Sequence, residues 1–236
     1  MFFRPSTLLI ACVALSLAGG CNRGETAAPA ASIEAGDGAS PAVASADNTT
    51  TAASPRAKAR PKPTENLFPE VVIKTTQGVI RLRLNAEKAP VTVDNFLANY
   101  ARRGFYNGTL VHYVDRNKMI IAGGFTPDLQ AKEARAPILN EATNGLLNKR
   151  GTVAMVRDAE YSQSATSQFY FNLVDNPDLD HLSTESGADY GYCVFGEVIE
   201  GLDVLDAIAQ TPVHDQGDFI SSPVTPILIE SVEQVK

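Results

Sequence analysis

The side chains that could do chemistry in this chain lie in three blocks. The first, residues 104–125, reads GFYNGTLVHYVDRNKMIIAGGF and carries His112, Tyr113, Lys118, Met119 and Ile121. The second is RGTVAMVR at 150–157, with Val156 and Arg157; the third is SATSQFYFNLVDN at 164–176, with Gln168 and Tyr170. His112, His181 and His214 show no metal-ligand spacing, and neither a metal nor a cofactor is implied. Cys193, within Tyr192-Cys193-Val194-Phe195, reads as a small buried apolar residue.

In order and in near spacing, the three blocks resemble the cyclophilin-type peptidyl-prolyl cis-trans isomerases of bacteria, over about residues 71–235. The chemistry this resemblance implies is rotation about an X-Pro bond. Amide resonance sets its barrier at about 20 kcal/mol, while the two ground states differ by only about 1 kcal/mol. Rotation therefore needs no nucleophile and no metal. The enzyme must hold the proline ring in an apolar slot, fix the flanking backbone and favour a twisted amide whose nitrogen is pyramidal. In the family an arginine donates to that nitrogen, two phenylalanines and a methionine line the slot, and a glutamine supports the arginine and the substrate carbonyl.

Aligned without gaps, the family's F-H-R-V is Val111-His112-Tyr113-Val114, and its F-M-I-Q is Lys118-Met119-Ile120-Ile121. The resemblance thus sets Tyr113 at the catalytic arginine position, Lys118 at a slot phenylalanine and Ile121 at the glutamine. It retains Met119 and counts His112 among the substrate-binding positions. Gln168-Phe169-Tyr170 matches Q-F-F, which makes Gln168 a peptide-backbone contact and Tyr170 the second slot aromatic. Val156 and Arg157 match the short strand that pairs with the substrate backbone, Leu179 a slot leucine, and Tyr192 the place of a histidine in many members.

A charge-assisted donor bonds roughly twice as strongly as a neutral one, and losing a preorganised donor to developing charge costs about 3 to 4 kcal/mol. The expected isomerase rate is therefore about two to three decades below that of a conventional member. Cyclosporin binding should be weak as well. Three function classes stay open: a slowed isomerase assisting protein folding, a proline-peptide binding or chaperone module without turnover, and a barrel whose slot is filled by Lys118 or Tyr113. Rescue of full activity would need Arg116 or Arg157 to reach the slot. Lys118 would either snorkel its charge to water or attract an acidic residue beside the target proline.

The elements that must position these residues follow from period. Apolar and polar residues alternate at 79–84, a strand with one wet face after a first run at 70–75. Further short apolar runs lie at 110–114, 119–122, 152–156, 169–174, 193–199 and 227–232. Val93, Phe96, Leu97 and Tyr100 share a helical stripe, with Thr92 as the expected N-cap and Gly104 as the stop; Leu202, Leu205, Ile208 and Ala209 form a second stripe before Pro212. Many short strands fit a barrel or a sandwich equally. The resemblance selects a mainly β fold, a closed eight-stranded antiparallel barrel capped by two α-helices.

Residues 1–20 read as a secretory signal, with Arg4, an apolar run from Leu8 to Leu17, and small residues ahead of Cys21 that resemble a bacterial lipobox and make Cys21 the expected lipidation site; the alternative is an ordinary cleaved signal with an incidental cysteine. Residues 21–66 form an Ala/Ser/Pro/Thr-rich tether, too poor in apolar residues to offset the entropy of ordering. Residues 67–236 form the barrel domain. Fourteen basic and twenty-two acidic residues make that domain net −8 within a chain of net −7, which argues against nucleic acid as a partner. The expected partners are proline-containing peptides or unfolded envelope proteins, and the membrane through the Cys21 anchor, with the domain a monomer. The expected address is the periplasm or cell envelope, the outer membrane being favoured by Asn22.

Overall fold

The structure, a computed structural model, describes residues 66–235. The signal segment, Cys21 and the tether as far as residue 65 lie outside the described residues. The strands are β1 (Glu70–Thr75), β2 (Gly78–Leu84), β3 (Thr109–Asp115), β4 (Met119–Ala122), β5 (Thr152–Met155), β6 (Phe169–Asn172), β7 (Val194–Glu200), β8 (Val213–Gln216), β9 (Phe219–Pro223) and β10 (Leu228–Gln234). Two helices, α1 (Pro90–Asp94) and α2 (Leu202–Ala209), interrupt them. Eight strands close in the order β1-β10-β3-β4-β6-β5-β7-β2, with β2 returning to β1. Every pairing is antiparallel, and closure leaves the sheet no free edge.

Period-two alternation sorts the side chains onto two faces. Ile73, Ile80, Leu82, Ile120, Val153, Phe169, Phe171 and Phe195 fill the interior with the helices' apolar faces. Their neighbours in sequence, Met119, Ile121, Ala154, Tyr170 and Val194, form a separate apolar cluster on the outside. A bulge between Val111 and Tyr113 shifts β3 against β4. After it Val114 still points inward while Tyr113 joins the outer cluster.

The first helix departs from expectation at its start. It begins at Pro90, where proline's missing N–H and fixed φ suit the first turn, with Ala89 at the N-cap position and no side-chain cap of its own. Thr92 lies inside the first turn. The carboxylate of Glu141, fifty residues on, accepts from the amides of Val91 (3.1 Å) and Thr92 (2.8 Å) and from the Thr92 hydroxyl (2.7 Å). A carboxylate opposing the positive end of the helix dipole supplants a local cap. The helix continues as a wide π-turn over Asn95–Tyr100 and a 3-10 turn over Ala101–Arg103, and stops at Gly104 in the left-handed region (φ 65°).

Candidate functional site

The outer cluster is built by β4, β5, β6 and the segments following β5 and β6. Met119, Ile121, Val156, Tyr170 and Leu179 lie in it with Ala154 and Val194, and Tyr113, Leu146 and Tyr192 pack half-buried against it. Seven sequence-predicted site residues are thus brought onto one patch: Tyr113, Met119, Ile121, Val156, Tyr170, Leu179 and Tyr192. Sequence reading missed Leu146, Ala154 and Val194. Only strand pairing puts them there, although the alternation within TVAM and after Cys193 marked Ala154 and Val194 as facing away from the core.

Tyr113 stands directly across the β3–β4 ladder from Ile121. Its phenol is half-buried, and desolvation, with the nearby Asp115 carboxylate, holds its pKa above the ordinary value, so the hydroxyl is a neutral donor at physiological pH. Ile121 has no group with which to orient it.

Tyr170 is 1% exposed, and its hydroxyl donates to Asn148 Oδ1 at 2.7 Å. Asn148 in turn donates from Nδ2 to the carbonyl of Leu179 at 3.0 Å. A buried tyrosine needs such a partner, and this one ties the aromatic wall of the patch to the leucine. Burial also drives the Tyr170 pKa well above its ordinary value.

Gln168 lies at the patch's β6 end, its carbonyl accepting from the Val156 amide at 2.9 Å. Its side chain rests on Gly124, where a Cβ would come within 2.5 Å of Gln168 Cγ, so the glycine is required for this close approach. Lys118, at the opposite end, donates from Nζ to Asp178 at 2.7 Å. Its charge has an internal partner, which weakens the reading that it waits for an acidic residue of a substrate.

Two expectations are corrected. His112 is not on the patch: its ring packs against Phe125 and Phe219, at centroid distances of 4.7 and 6.1 Å, beneath the β8–β9 hairpin. It is 8% exposed with Nδ1 unpartnered, and burial lowers its pKa to about 4. The bulge in β3 separates it from Tyr113. The Arg157 side chain does not reach the slot, as rescue of full activity would require; it is 3% exposed and its guanidinium is spent on loop carbonyls. Nε donates to Gly191 (2.8 Å), Nη1 to Asp158 (2.7 Å) and Ala159 (3.1 Å), and Nη2 to Gly187 (2.7 Å). Arg116 is exposed in the β3–β4 turn.

The arrangement is an external apolar patch on a closed barrel, flanked by a glutamine and by a strand end near Val156, with one neutral hydroxyl at its β3 edge. Comparison with known proteins identifies the family to which this barrel belongs. Residues 70–234 match the family described as cyclophilin type peptidyl-prolyl cis-trans isomerase/CLD. The chain is 44% identical over 166 residues to peptidyl-prolyl cis-trans isomerase A of Dickeya dadantii, covering 70% of this chain and 84% of the relative. It is 46% identical over 162 residues to peptidyl-prolyl cis-trans isomerase B of Escherichia coli, covering 69% and 97%. In fold it is similar to a Cryptosporidium parvum cyclophilin-type isomerase crystallised in the presence of the dipeptide Ala-Pro, with a TM-score of 0.60 at 23% identity, covering 71% of this chain and 99% of that one. Barrel topology, outer patch and matched residues converge on one conclusion: the chain belongs to the cyclophilin-type peptidyl-prolyl cis-trans isomerase family.

Proposed function

We propose that this protein is a slowed proline isomerase of the cell envelope, anchored by lipid at Cys21 and acting on proline-containing segments of unfolded envelope proteins. The observation that carries the reduced rate is the Tyr113–Ile121 pair: a neutral, half-buried phenol faces an isoleucine where the family resemblance sets an arginine and its supporting glutamine. Arg157 offers no substitute, because its nitrogens serve Gly187, Gly191, Asp158 and Ala159. Binding would use the patch between Met119, Tyr170 and Leu179, with Gln168 and the backbone near Val156 holding the flanking peptide.

The test is a protease-coupled or NMR-exchange assay on a short proline peptide. The expected kcat/KM lies about two to three decades below a conventional member's; an ordinary rate would overturn the reading. For the anchor, a clickable fatty-acid label should appear on the chain in cells and disappear in Cys21→Ala. Label persisting in that variant would remove Cys21 from the proposal.

A second reading has its own support. Met119, Tyr170 and Leu179 are 2%, 1% and 8% exposed, with Tyr113, Leu146 and Tyr192 packed against them, so a proline ring can reach them only if one of these covering side chains moves aside. This favours a barrel whose slot is filled by Tyr113, which would show neither saturable binding of a proline peptide nor a rate above background.

A further inference from the structure

We propose that the cavity beside the outer patch is a second subsite, which takes a large apolar side chain of the same polypeptide client at a fixed distance from its proline. This rests on the proline-peptide reading above and deepens it. The cavity encloses about 640 Å³, within the range of a specific pocket, and its apolar wall is Phe68, Leu84, Leu146, Leu147 and Val194. Leu146 and Val194 belong to the outer patch as well, so the two sites share a wall.

The cavity is exposed and preformed. Phe68 and Leu147 are 45% and 47% exposed, large apolar side chains lining one concave surface instead of being scattered over the molecule. Their backbones are fixed. The Ala86 amide donates to Leu67 O and the Leu84 amide to Pro69 O, both at 2.9 Å, which brackets Phe68; the Lys149 amide donates to Leu147 O at 2.9 Å. At the rim Arg83 and Glu197 pair with each other, and Asn85, Lys149 and Thr152 complete the polar edge around the apolar wall.

Composition argues against the chain's own tether as occupant. Between residues 22 and 65 the only large apolar residues are Ile33 and Val43, with neither leucine nor aromatic to fill a pocket of this kind. An unfolded client, by contrast, exposes such side chains on either side of its prolines.

The experiment uses the full chain and a host peptide of alanine, serine and glycine containing one Ala-Pro, with a single leucine walked along both flanks. Affinities are read by fluorescence anisotropy. At one spacing the leucine should tighten binding about tenfold, the effect of burying one such side chain. That gain should vanish in Leu147→Ser and in Phe68→Ser, while the host peptide without leucine binds all three proteins equally.

Gain at no spacing, or gain that survives both substitutions, would overturn the subsite and leave the proline reading standing. A host peptide that does not bind at all would sink both. Without peptide, NMR shifts at residues 56–65 on introducing Leu147→Ser would give the cavity to the tether. Concentration-dependent dimerisation abolished by the same variant would give it to a second copy. Either result overturns the proposal.

Discussion

The guanidinium of Arg157 lies 4.5 Å from the ring centre of Tyr192, and the same guanidinium binds the carbonyl of Gly191, the residue before that tyrosine. One side chain therefore fixes both the backbone that leads into the patch wall and the ring itself. Tyr192 stands edge-on to Tyr170, with centroids 6.0 Å apart, so the chain of contact runs from the loop carbonyls through Arg157 to the aromatic wall. Gly191 sits at φ 74° with a would-be Cβ only 2.5 Å from His181 N, a position closed to any side chain. Arg157 is thus a positioning residue for the groove.

Arg157→Ala should destabilise the domain by about 2 to 4 kcal/mol, since it strips the part-buried carbonyls of Asp158, Ala159 and Gly187 of this donor and leaves Gly191 O with Asn140 Nδ2 alone. Denaturant unfolding measures this. Arg157→Lys should recover only a small part, because an ammonium cannot reproduce the planar fork. Both variants should weaken proline-peptide binding more than they change the rate at saturation. An Arg157→Ala domain that stays fully stable yet loses all isomerase activity would instead make the guanidinium catalytic.

The Tyr113–Ile121 pair predicts a non-additive rescue. Tyr113→Arg alone leaves the new guanidinium facing isoleucine and should raise kcat/KM less than tenfold. Combined with Ile121→Gln, directly across the ladder, it should recover most of the about 3 kcal/mol assigned to the missing cationic donor. The protease-coupled assay on the two single variants and the double variant completes the cycle. Equal rates for Tyr113→Arg and the double variant would show that orientation by position 121 is not needed.

His112 predicts a pH dependence of stability. In the unfolded chain its pKa is near 6.5; in the barrel, burial lowers it to about 4. Above pH 6.5 both states are neutral and His112 has no effect. Between pH 6.5 and 4 the unfolded state binds a proton that the folded state does not, so stability falls with acidification, by about 3 kcal/mol across the window, and levels off below it. Unfolding curves at intervals from pH 7.5 to 3.5 should show this slope, and His112→Phe should remove its share. An unchanged slope in that variant would assign the acid sensitivity elsewhere.

Cys193 predicts a chemical silence. Burial, above all, pushes its thiol up to about 12, and its sulfur lies 3.4 Å from the Thr92 hydroxyl under the Glu141 cap. At pH 8 almost no thiolate forms, so iodoacetamide should modify Cys193 only through unfolding. Peptide mapping of the labelled chain, with and without denaturant, checks it.

The amino-acid sequence alone carried the elements whose cause is local. All eight barrel strands appear as short apolar runs, because alternation between core and outside is written residue by residue. Gly104 stops the first helix as expected, because a left-handed residue is a local requirement. The fold gathers seven of the expected site residues onto one patch.

What the tertiary structure decided is whatever depends on partners distant in sequence. Glu141 caps a helix fifty residues away, so Thr92 was a reasonable but wrong choice from local pattern. The β8–β9 hairpin escaped notice because all four residues of β8 are exposed and show no alternation; Phe219, 4.8 Å from Phe125 and near His112, holds it to the barrel instead. From sequence it stays open whether Arg157 reaches the slot and whether Lys118 snorkels to water or attracts an acidic residue of a substrate. Loop carbonyls and Asp178 claim them, because a buried or half-buried cation takes the nearest acceptor the fold provides, and only the folded chain determines which acceptor that is.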